Sequence, residues 1–231
     1  SLAIALSTLC GTTFDSISFG FPVSAEIQEQ IAGWTQSSVT AEETAEAESR
    51  ETKEPRAVLN FSGGLDSLAS KYLLGGEPTL VSLDFGGRFS RELEFFKRFD
   101  PAIVHTNLVD TSLRYNSWSF MGIGPLLLAD TIRDEFFAFG SILEAGQLRV
   151  KEPRTVPSTF PPFRIAGYTN VAPVAGISEA GTVLIVARHE PDLLFDSLHS
   201  LANPGEEKFY RKIALAHTVA DIRGEKLSLP S

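Results

Sequence analysis

Cysteine is almost absent from this chain, because Cys10 is the single cysteine among its 231 residues. An internal disulfide and a cysteine-rich zinc site are therefore excluded, and a sulfur relay between two cysteines is disfavoured. We accordingly expect no zinc. The composition fits a reducing cytoplasm, and we expect a cytoplasmic location.

Positive charge is also scarce, and the formal net charge is −9, with no lysine or arginine before Arg50. General nucleic-acid binding is disfavoured, because neutralised phosphates supply most of that affinity. A nucleotide needs only a local positive patch and is not excluded.

No apolar run reaches the roughly 20 residues that cross a bilayer, so we expect no membrane span. Methionine occurs once against 17 phenylalanines, which indicates a core of rigid aromatic side chains.

The N-terminal residues 1–36 have the pattern of a helix, a strand and a second helix. The predicted elements are Ser1–Cys10, Ser16–Phe21 and Ala25–Trp34. The apolar start lacks the positive charges of a signal peptide. Since the sequence begins with serine, we interpret it as a helix of a domain that starts before Ser1, rather than as a targeting remnant.

Residues 37–55 differ sharply in composition from their neighbours. Glutamates alternate there with Thr, Ala and Ser, and no large apolar residue follows Val39. Such a segment buries too little surface to offset its ordering entropy, so we predict a solvated acidic linker. An acidic docking segment is the alternative.

Residues 56–231 alternate short apolar runs with helical patterns. The predicted strands are Arg56–Phe61, Thr79–Phe85, Ala102–Thr106 and Glu135–Ser141, and the predicted helices are Leu65–Leu74, Ser90–Phe99, Gly122–Arg133, Gly176–Arg188 and Pro204–Ile222. This alternation predicts an α/β fold with an open, mostly parallel sheet and helices on both faces. The proline-rich stretch Gly146–Asn170 is predicted to be a long loop.

The most informative motif lies between the first of these strands and its helix. It reads Ser62, Gly63, Gly64, Leu65, Asp66, Ser67. Two glycines let backbone N–H groups close around phosphate oxygens, and the helix N-terminus adds its own free N–H groups. Serine hydroxyls can donate to the same anion. Asp66 repels a bare phosphate, so its useful role is to hold a metal ion such as Mg²⁺.

A capped turn without a ligand is the structural alternative, but the full hexapeptide at a strand–helix junction favours phosphate binding. The Gly-Lys-Ser/Thr ending of a Walker A loop is absent, as is the Gly-x-Ser-x-Gly elbow of serine hydrolases.

The hexapeptide resembles the signature of the PP-loop ATP pyrophosphatases, the adenine nucleotide α-hydrolase-like superfamily. This resemblance implies a Rossmann-like sheet, ATP cleavage between the α and β phosphates, and an adenylated intermediate. Asp66 and Ser62 are then the expected catalytic residues, with Ser62–Ser67 around ATP and Mg²⁺. The superfamily receives adenine at the end of the second strand, so we expect Asp84, Phe85, Gly86 and Arg88 to contact the nucleotide.

Within that superfamily the chain is most similar to 7-cyano-7-deazaguanine synthase. The similarity rests on Leu83–Arg88, on Arg91–Leu93 and on Ala138–Gly140. Two features depart from it. Typical synthases bind zinc through C-terminal cysteines, which this chain lacks, and Gly122–Leu128 replaces an expected Arg-Asn pair. We therefore expect a divergent relative with a different or related acid substrate.

Several other residues allow two interpretations. Phe85 can be a core residue, and Asp84 can cap the sheet edge. Glu179 can be an ordinary first-turn acid or can reach the substrate or metal. The last helix carries Lys208, Arg211 and Lys212, which we interpret as a solvated face, although a late basic residue reaches pyrophosphate in related enzymes. His105 ends a strand at the edge where ligands bind.

The sequence thus predicts an ATP-dependent ligase that adenylates a carboxylate or amide and lets ammonia or an amine displace AMP. The expected partners are ATP and a small acid or amide, with the N-terminal segment as a candidate protein-docking element. The alternatives are a nucleotide-binding regulatory module with reduced catalysis, or a subunit of a larger complex.

Overall fold

The computed structural model describes residues 1–43, 54–145 and 160–224. The strands are β1 Ser16–Phe19, β2 Ser38–Ala41, β3 Glu54–Asn60, β4 Thr79–Asp84, β5 Ala102–His105, β6 Asp134–Ala138 and β7 Thr169–Val171. The helices are α1 Leu2–Ser7, α2 Ala25–Thr35, α3 Leu65–Leu74, α4 Ser90–Phe96, α5 Ile123–Leu127, α6 Pro161–Ile165, α7 Glu179–His189, α8 Leu193–Leu201 and α9 Glu207–Arg223.

The main sheet has five parallel strands in the order β5-β4-β3-β6-β7. Because helices cover both faces, this is a Rossmann-like α/β fold, and the predicted fold class is confirmed. The strand order reverses between β3 and β6. Open α/β sheets bind ligands at such a reversal, outside the carboxyl ends of the strands.

Apolar side chains of the sheet alternate between two cores. On β3, Val58 packs with the N-terminal elements, α5 and α6, while Leu59 packs on the other face with α3, α4, α7, α8 and α9. Phenylalanines fill both cores, and in the first the rings of Phe137 and Phe163 stack with centroids 3.8 Å apart. Residues 1–36 therefore contribute side chains to the same core as the main sheet.

The predicted acidic linker is wrong for residues 38–41, which form β2 and pair in parallel with β1. Val39 and Ala41 pack on the first core, so this short segment has apolar contacts that its composition concealed. The next strand begins at Glu54 rather than Arg56. Residues 44–53 lie outside the described part of the chain.

Two further predictions change, and one helix lacks a prediction. The helix expected over residues 122–133 ends at Leu127, because the chain turns back, with the amides of Thr131 and Ile132 both bonding to the carbonyl of Leu128. The stretch expected to be a loop contains α6, whose first turn tolerates its two prolines, and β7, which completes the sheet. Helix α8 was not predicted. Residues 146–159 are not described.

Within the described residues, no helix has the length and apolar character needed to cross a membrane.

Helix α3 offers a direct test of the second core. Leu68 is fully buried and Leu73 is 45% exposed on the same helix. We expect Leu68→Ala to lower the free energy of unfolding by about 2–5 kcal/mol, through lost burial and a residual cavity. The matched change Leu73→Ala should cost less than about 1 kcal/mol. Urea denaturation measures both, and equal losses would contradict the assignment of this core.

Candidate functional site

The loop of residues 62–64 connects β3 to α3 at the carboxyl edge of the sheet, next to the strand-order reversal. Helix α3 spans the predicted residues, with Gly64 at its N-cap. Gly63 has a φ of +75°, and a Cβ there would lie 2.6 Å from Cδ1 of Phe95. Both its backbone conformation and the close approach of α4 therefore require glycine at position 63.

The two serines of the loop have different roles. Ser67 is buried, and its hydroxyl donates to the carbonyl oxygen of Gly64 at 2.9 Å, which tightens the first helical turn. Ser62 is exposed, and its Oγ lies 3.3 Å from Oγ of Ser67 and 3.4 Å from the amide nitrogen of Gly64. Ser62 is thus the loop hydroxyl that faces solvent, whereas Ser67 shapes the loop.

Two distant elements fix the loop in place. The buried hydroxyl of Ser197 on α8 donates to the carbonyl oxygen of Gly63 at 2.8 Å. On the other side, Gly140, which follows β6, lies against the start of α3. A Cβ at Gly140 would be 2.8 Å from backbone atoms of Asp66 and Ser67. These contacts come from residues that sequence reasoning did not connect with the motif.

Asp66 is only partly exposed, and Oδ1 accepts a hydrogen bond from the hydroxyl of Thr182 at 3.1 Å. Burial raises the pKa of Asp66 above its ordinary value. The positive charge of Lys212 and the Thr182 hydrogen bond oppose that rise, while the negative charges of Glu179 and Glu144 add to it. The net direction is upward because desolvation of the carboxylate outweighs its favourable partners.

A buried lysine joins this cluster from the last helix. The Nζ atom of Lys212 forms an ion pair with Oε1 of Glu179, and Lys212 is only 8% exposed. The interpretation of Lys212 as part of a solvated face is therefore wrong. Glu179 begins α7, and its backbone amide donates to a carboxylate oxygen of Glu144 at 3.2 Å. The fold thus brings α3, α7 and α9 together around Asp66.

The end of β4 holds the other predicted nucleotide contacts. Both carboxylate oxygens of Asp84 have protein partners, the amide of Gly86 at 2.8 Å and Nδ1 of His105 at 2.7 Å. Asp84 therefore joins the turn after β4 to the end of β5. The half-buried ring of Phe85 packs against Phe89 and Phe120.

Arg88 lies in a 3-10 turn over Gly87–Phe89, and its side chain is not among those described.

Asp66 is the carboxylate of the Ser62–Ser67 loop that a metal ion could use. Across residues 1–43, 54–145 and 160–224, no three His, Cys, Asp or Glu side chains converge as a complete metal site. Mg²⁺ commonly takes one or two carboxylates together with substrate phosphates and water. Asp66 could supply such a carboxylate.

Comparisons with protein-family models, with curated proteins and with solved structures find no match to this chain.

The close approach at Gly140 can be tested by adding one methyl group. We expect Gly140→Ala to reduce the free energy of unfolding by about 1–3 kcal/mol, because the new Cβ would press on backbone atoms that cannot rotate away. Gly33→Ala is the control: Gly33 lies in α2 with open space around it, and alanine should stabilise the helix by about 1 kcal/mol. If urea denaturation shows Gly140→Ala to be as stable as the wild type, Gly140 does not pack tightly against the backbone of Asp66 and Ser67.

The raised pKa of Asp66 predicts a pH-dependent effect of Asp66→Asn. An acid with a raised pKa binds its proton more tightly when folded, so its ionised form destabilises the fold and the wild type gains stability as pH falls. Asparagine retains an acceptor for Thr182 without the buried charge. We expect the variant to be more stable than the wild type at neutral pH, and this gain to shrink on acidification.

Urea denaturation from neutral to acidic pH measures the difference in free energy of unfolding between Asp66→Asn and the wild type. Asp15→Asn, at an exposed site, is the control. The prediction would be contradicted if this difference did not change with pH, or if Asp66→Asn were less stable than the wild type at neutral pH.

Proposed function

We propose that this chain is an ATP-dependent enzyme that adenylates a carboxylate or amide substrate and releases pyrophosphate. The observation that carries the proposal is the position of the Ser62–Ser67 loop. Its glycines, exposed hydroxyl and helix N-terminus lie at the strand-order reversal, where α/β sheets bind phosphate ligands. The resemblance to PP-loop ATP pyrophosphatases supports the same assignment.

Because Glu179 and Glu144 lie near Asp66, the proposal needs a metal ion to bring the phosphates to this carboxylate. In the proposed reaction a substrate oxygen attacks the α-phosphorus, the α–β phosphoanhydride bond breaks, and pyrophosphate leaves. Magnesium held by Asp66 would neutralise phosphate oxygens when bound. Lys212, buried and paired with Glu179, supplies a fixed positive charge that can stabilise the departing pyrophosphate.

In the second half-reaction, an amine or ammonia nitrogen attacks the activated carbon, and AMP leaves with the bond electrons. The proposed reaction is that of a C–N bond-forming ligase, as the sequence resemblance to 7-cyano-7-deazaguanine synthase implies. The protein contributes mainly positioning and charge stabilisation.

The test is release of AMP and pyrophosphate from α-labelled ATP with Mg²⁺, ammonium and a panel of acids that includes 7-carboxy-7-deazaguanine. We expect Asp66→Ala and Ser62→Ala to abolish release. Lys212→Met should lower the rate about 10²- to 10³-fold, as expected for loss of a preorganised charge. Lys97→Met is the matched control, because Lys97 is half-exposed and pairs with Glu94 outside the site.

Products other than AMP and pyrophosphate, such as ADP and phosphate, would refute adenylation. ATP binding without turnover on any acid would instead favour a nucleotide-binding regulatory module or a catalytic subunit that needs a partner.

A further inference from the structure

A buried threonine of α7 lies against the carboxylate of Asp66. Thr182 is fully buried, and its hydroxyl oxygen is 3.1 Å from Oδ1 of Asp66 and 2.9 Å from the carbonyl oxygen of Glu179. The second contact is within α7 and is common for threonine in helices, so the helix itself sets the position of the hydroxyl oxygen. The first contact joins α7 to α3, 116 residues away in the chain. Helix α7 thus presents a hydroxyl at a fixed place beside the carboxylate.

The single hydrogen of this hydroxyl can be donated to one of the two oxygens at a time. Donation to the carboxylate is favoured when Asp66 is ionised, because hydrogen bonds to a charged acceptor are about twice as strong as those between neutral groups. The ionised carboxylate is also the form that binds a metal ion. Thr182 therefore orients Asp66 in the state in which the carboxylate can be a ligand.

The backbone of Asp66 is held from two directions, so the remaining freedom lies in its side chain. The hydroxyl of Ser70 donates to the carbonyl oxygen of Asp66 at 2.9 Å, and Gly140 lies against the peptide that follows Asp66. Within the described part of the chain, Thr182 is the one side chain that donates a hydrogen bond to the carboxylate, and Oδ2 has no such partner. One oxygen is thus held by a neutral donor, and the other is left for a ligand.

The same turn of α7 gives the nearby lysine a different carboxylate. Glu179 and Thr182 are three residues apart and so lie on one face of the helix. Glu179 pairs with Nζ of Lys212, while Thr182 bonds to Asp66. An ammonium group paired directly with Asp66 would compete with a metal ion, because two cations would meet at one carboxylate. The hydroxyl of Thr182 orients the carboxylate and brings no charge to it.

We propose that Thr182 is a positioning residue that holds the Asp66 carboxylate for a divalent cation bound together with nucleotide phosphates. The inference rests on the proposed function, since it needs Mg-ATP at the Ser62–Ser67 loop. Hydrogen-bond partners of a ligating carboxylate fix its orientation, and the loss of one typically weakens metal binding about tenfold to a hundredfold.

The test measures the Kd of ATP by isothermal titration calorimetry, once with Mg²⁺ and once with EDTA. Thr182→Val removes the hydroxyl and keeps the shape of the side chain. We expect this variant to bind Mg-ATP about tenfold to a hundredfold more weakly than the wild type, and to bind metal-free ATP unchanged. Thr182→Ser keeps the hydroxyl and should bind Mg-ATP nearly as tightly as the wild type.

Thr218→Val is the matched control, because Thr218 is exposed on α9 and its hydroxyl donates to the carbonyl oxygen of Ala214 in the same helix. This change should leave both values of Kd as they are in the wild type. If Thr182→Val does not fold, Thr182→Ala replaces it in the test, since alanine removes the hydroxyl without placing a methyl group against Asp66.

Several results would overturn the role of Thr182 and leave the proposed function standing, provided that the wild type releases AMP and pyrophosphate. They are unchanged binding of Mg-ATP by Thr182→Val, equal weakening of Mg-ATP and metal-free ATP, failure of Thr182→Ser to restore binding, and wild-type binding that does not depend on Mg²⁺. If the wild type binds ATP neither with Mg²⁺ nor with EDTA, the proposed function fails, and the role of Thr182 fails with it.

Discussion

The contact between the end of β6 and the start of α3 is the constraint on which the candidate site depends. At Gly140 the chain passes so close to the peptide between Asp66 and Ser67 that no side chain fits between them. Strands β3 and β6 are neighbours in the sheet, but the chain between them contains β4 and β5. This approach therefore fixes the start of α3 against the end of β6. The packing of α7 on α3 in the second core then brings Thr182 to Asp66.

The arrangement around Asp66 has a cost to stability. A fold selected for stability alone would not keep a carboxylate in a site where burial raises its pKa, with two other acids near it. Lys212 offsets part of that cost, and its own burial is tolerated because Glu179 pairs with it. Lys212 is the charge that favours both ionised carboxylates, whereas Glu179 and Glu144 disfavour the ionised form of Asp66. Strongly perturbed acids of this kind occur often at functional sites, and also in structural ion-pair networks.

Local signals in the sequence predicted the central part of the fold, and long-range contacts account for what they missed. The apolar runs of β3, β4 and β5 and the glycine pair before α3 carry their information within a few residues. Strand β7 has only three residues and forms because β6 offers it a paired edge. Helix α8 did have a signal, since its leucines at 193, 194 and 198 recur at helical spacing.

The site residues likewise divide into those that a local sequence signal reveals and those that depend on long-range contacts. The hexapeptide located the loop, but the burial of Lys212 depends on Glu179, which is 33 residues away in the chain. Helical spacing places Lys212 on the same face of α9 as the buried Phe209 and Ala216, and its exposed neighbours Lys208 and Arg211 on the other faces. That spacing does not by itself show that a charged side chain finds a partner there. The pairing of His105 with Asp84 likewise requires the register of β4 and β5, which apolar runs alone do not specify.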